Sequence, residues 1–382
     1  MKKNFLALVL ISFSFLLSGC WDLNENERMY YIHGMGIDFK DGKYEIYPQI
    51  ISFSNVAKSE QVNQDVIQSE VTTFKGVTVG EAFSNFYNAI DEEVYWGHFT
   101  FLIFSTDALK DNRANSFINE ITRFSETRYH TWVYATDEPL AEFLTNVPLL
   151  RRSITLTRLA DPLNSYEQQS FIEPTNIRRM IIKLNEPNHL AIIPYVKLKE
   201  GWENQKDPSN TIETAGAAIL TKKKFEGYVK GQDAAGLKWL SKETISARVT
   251  SKFENNRHIS ATITEIQNNV EPIINGNDVK FDINISFQAA LGSFTGDLKP
   301  KEIEEALTKE IKKEVRDTFK IGLEKKVDIY RLSEVLYRKN VKVYKKLEKD
   351  GQIELAEDSI RKININVDKV ETGRKSFEDT IE

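Results

Sequence analysis

"MYYIHGMGIDFKDGKYEIYPQIISF", Met29 to Phe53, decides how the first half of the chain is built. Asp41-Gly42 lies between two runs rich in β-forming residues. A two-residue Asp-Gly loop is the favoured type I′ hairpin turn, because both of its central residues need positive φ. Such a turn fixes the register: Lys40 faces Lys43, Phe39 faces Tyr44, Ile37 faces Ile46 and Met35 faces Pro48. Ile37, Phe39, Tyr44 and Ile46 then share one apolar face. Asp38 falls opposite Glu45 on the other, a like-charge pair that is unfavourable unless a cation lies near; the plainer reading is two solvated carboxylates splayed apart. Gly34-Met35-Gly36 lacks the third glycine and the following helix of a nucleotide loop, so close backbone packing or a bulge is expected there.

Reading outward from the hairpin, Thr78-Val79-Gly80-Glu81 has capping-box spacing. Ala82, Phe83, Phe86, Tyr87 and Ile90 recur behind it at helical intervals and predict a core-facing helix. "HFTFLIFS", His98 to Ser105, is apolar on both faces, as an interior strand is. Phe117, Ile118, Ile121 and Phe124 mark a second helix, His130 to Thr136 another strand, and Glu138-Pro139 the start of a third helix. Arg123 and Glu126, three apart, can pair on a helix face, as an exposed surface pair on the plainer reading or in a buried bidentate role. This alternation predicts an α/β layer.

A helix carrying Ile177, Met180, Ile181 and Leu184 and a strand from Ala191 to Val196 close the first half. Glu200 to Thr211 reads as a polar, exposed loop and as the domain boundary. Beyond it, "ETAGAAIL" and "FEGYVKG" form a hairpin about Lys222 to Lys224, leading to a helix near Ala234 to Leu240. Ile259 to Ile266 and the alternation of Val279, Phe281, Ile283 and Ile285 predict antiparallel strands with one wet face, turning at Asn275-Gly276-Asn277. Ile303, Leu307, Ile311, Val315 and Phe319 stripe a long helix over Lys301 to Ile321. A shorter helix holds Leu332, Val335 and Leu336, and Ile363, Ile365 and Val367 make a last strand. The expected fold is a multi-domain α+β (mixed α/β) protein. An N-terminal mixed sheet with helices occupies residues 29–200, and a C-terminal antiparallel sheet packed against a long helix occupies residues 212–382.

At the start of the chain, Lys2 and Lys3 precede an apolar run from Phe5 to Leu17. At about 13 residues it is short for a membrane-crossing helix, which needs about 20, and it reads as a secretory signal segment. Leu17-Ser18-Gly19-Cys20 follows and resembles a bacterial lipobox. The expectation is therefore a lipoprotein signal peptide over residues 1–19, cleavage before Cys20, a diacylglyceryl group on that thiol, and a lipidated tether over residues 20–28. Cys20 is the only cysteine of the 382 residues, so no internal disulfide is available and the exported body must be held by core packing. Two acyl chains suffice for stable attachment to the lipid bilayer.

Net charge of −5 and 28% charged residues argue against a nucleic-acid binder. His33, His98, His130, His189 and His258 show no metal-ligand spacing, and no P-loop or G-x-S-x-G elbow occurs. Neither a cofactor, a metal nor enzymatic activity is expected.

In order along the chain, the lipobox, "GCWDLNENE", "GMGID", "GVTVGEAF", "WGHFTFLIFS", "RFSETR", "AGAAILTKKKFEGYVKG" and "VETGR" together resemble the Ger(x)C family, the lipoprotein C subunits of spore germinant receptors. The resemblance spans nearly the whole mature chain. It implies a lipid anchor at Cys20, a place on the outer face of the spore inner membrane, and partnership with integral membrane A and B subunits in sensing nutrients. Asn24 to Glu27 departs from the family's usual Glu-Ile-rich continuation, which affects the tether's contacts. Two roles stay open: assembly or signalling within the receptor, and an extracytoplasmic solute-binding lipoprotein that captures a small nutrient ligand directly.

Overall fold

The computed structural model describes residues 29–51, 69–123, 128–203, 209–252, 257–294 and 299–371. Cys20, the signal segment and the tether lie outside the described residues, as do Phe53, Phe124 and Glu126.

The opening hairpin has the expected register. Strand β1 (Met29–Lys40) pairs antiparallel with β2 (Lys43–Ile51), Lys40 against Lys43 and Ile37 against Ile46, with Asp41 and Gly42 both at positive φ. The register shifts between Ile32 and Gly34. Gly34 is required by packing: a Cβ there would sit 2.1 Å from the ring of Phe101. Short strands β3 (Ser69–Val71) and β4 (Phe74–Gly76) both pair with β2. The like-charge pair of the hairpin is resolved by separate donors. Lys75 Nζ lies 2.5 Å from Glu45 Oε1 and the Tyr47 hydroxyl donates to Glu45 Oε2 at 2.8 Å, while Asp38 accepts from the Ser105 hydroxyl and the Phe39 amide. Glu45 is buried, not solvated, so the splayed-apart reading gives way to the basic-neighbour one.

Helix α1 (Val79–Asn88) starts at Thr78, whose side chain accepts the Glu81 amide; Glu81 reaches back to the Val77 amide at 2.7 Å. Ala82, Phe83 and Phe86 are buried, but Tyr87 is exposed and its hydroxyl accepts from the Trp96 indole at 3.1 Å. Strands β5 (Glu93–Tyr95) and β6 (Phe101–Ser105) run parallel to β1. Helix α2 (Arg113–Ile121) leads toward β7 (Trp132–Thr136), and α3 (Leu140–Leu144) follows it. Leu102, Phe104, Val133 and Ala135 fill one core while Phe101, Ile103 and Tyr134 fill another across the sheet, the two-sided burial of interior strands.

Helix α4 (Ile177–Asn185) is followed by β8 (Leu190–Trp202), β9 (Ser209–Thr221) and β10 (Phe225–Lys230). Here both described flanks of the loop expected at Glu200 to Thr211 are strand, Glu200 to Trp202 in β8 and Ser209 to Thr211 in β9: Lys199 pairs with Thr211 and Trp202 with Ser209. The first sheet therefore continues past that segment, in the order β10-β9-β8-β7-β6-β1-β2-β3.

The second sheet, in the order β11-β12-β13-β14, comprises β11 (Ser246–Lys252), β12 (His258–Asn275), β13 (Asp278–Phe294) and β14 (Ile360–Glu371). Helix α5 (Pro300–Glu324) lays Ile303, Leu307, Ile311, Val315 and Phe319 onto it, and α6 (Leu332–Lys339) and α7 (Val341–Leu347) follow. The final strand departs from the antiparallel pattern. β14 runs parallel to β13, because the chain crosses back through these helices and not through a hairpin. The core beneath α5 also holds Ile219 and Val229 of the first sheet, so the two sheets share apolar contacts.

Candidate functional site

Among the described residues, a dense polar network lies where the end of α4 meets the segment before and through α6. Arg331 occupies the N-cap of α6 with φ +56°. Its guanidinium donates to the carbonyls of Leu190, Lys183 (3.4 Å) and Pro187 (3.3 Å), gathering acceptors from the last turn of α4 to the first residue of β8. The same side chain meets Glu334 at 2.5 Å. Glu334 also lies 2.8 Å from Arg338 and 3.6 Å from Lys183, and Glu186 lies 3.1 Å from Arg338 and 3.6 Å from Arg331. Burial pushes the Glu334 carboxyl up, but Arg331, Lys183 and Arg338 outweigh it and hold the group below the usual range.

Deeper in the junction, Asn188 is fully buried at φ +87°. Its amide donates to Gly351 O at 2.7 Å, its Nδ2 to Asp328 O at 3.0 Å, and its own carbonyl accepts from Gln352 at 2.9 Å. Asp328 is buried too, with its carboxylate accepting the amides of Leu332 and Ser333 at 2.9 and 2.6 Å. Burial raises its pKa; those amides and Arg331 oppose the rise. Asn188 thus ties the turn after α4 both to the segment that precedes α6 and to the turn that follows α7.

Beside this network opens a groove of about 510 Å³, with Ile172, Leu190, Leu237 and Leu240 on its apolar walls and Arg179, Glu173 and Glu243 at its rim. Arg179 bridges Glu173 and Glu243, the latter at 3.1 Å. A second cavity, of about 330 Å³, is lined by Tyr134, Arg158, Tyr166, Glu213 and Thr214. Burial lowers the Arg158 pKa, with Tyr134 and Glu213 acting against that shift.

The one site residue expected from the sequence, Cys20, lies outside the described residues. Arg123, expected opposite Glu126, is exposed and lies 3.8 Å from Glu120. Among the described residues, no three His, Cys, Asp or Glu side chains converge as a metal site, and no helix is long and apolar enough to cross a membrane. The junction residues Glu186, Asn188, Asp328, Arg331 and Glu334 were not singled out from the sequence. The local signal available was the spacing of Asp328 to Leu332 and Ser333, an acid placed to cap the start of a helix.

The described elements define a two-sheet α+β protein whose halves meet at a charged junction. The solved structure titled "Crystal Structure of the GerBC protein" has this fold, with a TM-score of 0.53 and 15% identity over 89% of this chain and 97% of that one. Two family models match in order: "Spore germination protein N-terminal domain" over residues 22–198 and "Spore germination B3/GerAC like, C-terminal" over residues 215–373. The chain belongs to the Ger(x)C family of spore germination proteins. It is similar to spore germination protein KC of Bacillus subtilis, at 23% identity across 91% of this chain and 90% of the relative. It is also similar to spore germination protein B3 of the same organism, at 22% across 75% and 73%.

Proposed function

We propose that this chain is the lipoprotein C subunit of a nutrient germinant receptor. A diacylglyceryl group on Cys20 holds it to the outer face of the spore inner membrane, and it works with integral membrane A and B subunits by assembly or signalling, without enzymatic activity of its own. The observation that carries this reading is the order of features. A lipobox ending at Cys20 is followed at once by the two spore germination matches, which run to residue 373. Deleting the gene in spores that keep the other subunits should abolish the response to the corresponding nutrient. An intact response would overturn the reading.

A second reading, direct capture of a small nutrient, is favoured by one feature, the polar cavity of about 330 Å³ that holds Arg158. Calorimetry of the chain against amino acids, sugars and nucleosides separates the two: saturable heat supports capture, and its absence supports assembly.

A further inference from the structure

The segment from Val147 to Leu156, "VPLLRRSITL", presents apolar side chains to solvent that the receptor-subunit reading leaves unused. Leu150 is 93% exposed, and its backbone stands at φ +58°, a left-handed conformation uncommon for any residue other than glycine. Val147 and Leu156 are exposed as well, and so is Arg152. A leucine held out of the fold on a strained turn is not filling a core.

Its position gives the reason. Ile154, within the segment, is buried against Tyr31 and Ile51, and Met29 packs on the same cluster. Ile154 therefore seats the later part of the segment at the end of the first sheet where β1 begins, while Leu149–Arg151 runs against β9. Residues 21 to 28 are all that separate Met29 from Cys20. A fully extended chain spans at most about 3.3–3.6 Å per residue, so this end of the sheet stays within roughly 30 Å of the anchored sulfur. Tyr95, the last residue of β5 and paired with Tyr31 near the start of β1, is exposed there too, as is Tyr129 just before β7, and tyrosine suits a membrane–water interface. Asp91, Glu92 and Glu93 lie at the same strand end, so apolar side chains, and not net charge, must carry any contact with lipid.

We infer that Val147 to Leu156 is a membrane-docking loop: Leu150 and Leu156 enter the headgroup and acyl boundary of the bilayer that holds the anchor, with Arg152 at the phosphate level. Acylated Cys20 and this loop would together give the body two points of attachment and so a defined orientation, which a flexible tether alone does not. The inference rests on the reading of Cys20 as acylated, and the experiment separates the two.

The full chain is purified from membranes as Leu150→Cys and, in parallel, Val77→Cys, and each is labelled with a polarity-sensitive maleimide dye. Both are then placed in phosphatidylethanolamine/phosphatidylglycerol vesicles carrying doxyl-labelled lipid. Val77 is exposed and follows β4, whose Gly76 pairs with Tyr44 beside the hairpin turn, at the other end of β1. Docking predicts blue-shifted emission and several-fold stronger quenching at position 150 than at position 77; Leu156→Cys should behave like position 150. Equal quenching at all three overturns the docking loop. Dye uptake by the unsubstituted chain overturns acylation instead. In that case the difference between the two variants, which share the same Cys20 background, still decides the loop.

Discussion

The Nδ2 of Asn188 donates to the main-chain carbonyl of Asp328 at 3.0 Å, joining the end of α4 to the start of α6 across 140 residues. The contact is buried, and it is one of three hydrogen bonds by which residue 188 is held to the second half of the chain. Removing the side chain leaves that carbonyl without this donor, a loss of about 1–3 kcal/mol. Asn188→Ala also places an ordinary residue at φ +87°, a conformation glycine tolerates. Asn188→Gly therefore isolates the lost hydrogen bond from the backbone strain. Urea unfolding should rank wild type above Asn188→Gly and Asn188→Gly above Asn188→Ala. If Asn188→Ala unfolds with wild type, the junction is not held by this contact.

His33 gives the fold a pH dependence of known sign. Its Nδ1 lies 3.0 Å from Gln49 Oε1 while Nε2 is buried without a hydrogen-bond partner. Burial lowers its pKa from 6.5 to about 4, with Gln49 acting against the shift. A depressed folded-state value means that the unfolded chain binds the proton first as pH falls. The stabilisation is complete above pH 6.5, declines as pH drops below it, and is lost by about pH 4, an effect of up to about 3 kcal/mol. Asp328, whose value is raised, contributes the opposite slope. The difference between wild type and His33→Gln across this range isolates the histidine. A difference that does not vary with pH would contradict a neutral buried imidazole.

Gly34 and Phe101 test the packing of the central strands. An added Cβ would overlap the Phe101 ring, with carbons at 2.1 to 2.6 Å, and an interior strand leaves little room for the ring to move. Gly34→Ala should cost about 1–3 kcal/mol by overpacking. Phe101→Leu should itself cost stability, yet the pair Gly34→Ala/Phe101→Leu should lose less than the sum of the two, because the shorter side chain vacates the space. Strict additivity in thermal unfolding would show that the strands shift apart instead.

Local chemistry made much of the fold readable. Asp41-Gly42 set the hairpin register, Thr78 and Glu81 marked a helix start, and the stripe from Ile303 to Phe319 found its sheet. The strand pairing of Lys197 to Trp202 with Ser209 to Glu213 was not readable, because Lys199, Glu200 and Gly201 carry no apolar alternation. These strands are instead held by pairing to each other. The parallel placement of β14 was hidden for another reason: the pattern of Ile363 and Ile365 gives a face and not a direction. The junction was least legible. Arg331 recognises carbonyls 141 to 148 positions earlier in the chain, and only folding brings them together.

Trp239, Lys238 and Glu314 offer a test of the second core. Glu314 Oε2 accepts the Trp239 indole at 2.6 Å and lies 2.9 Å from Lys238 Nζ, all three side chains being buried. Removing one partner of a buried pair leaves an uncompensated charge and costs about 3–5 kcal/mol, whereas replacing the charges together is often close to neutral. Glu314→Gln keeps an acceptor for the indole but leaves the Lys238 ammonium unpaired, so it should be strongly destabilising. Adding Lys238→Met removes that ammonium and should recover most of the loss while the indole bond survives. Denaturant midpoints for the two single variants and the double variant supply the cycle. A double variant no more stable than Glu314→Gln would mean that the indole bond needs the full carboxylate charge, and that the ammonium contributes little to the core.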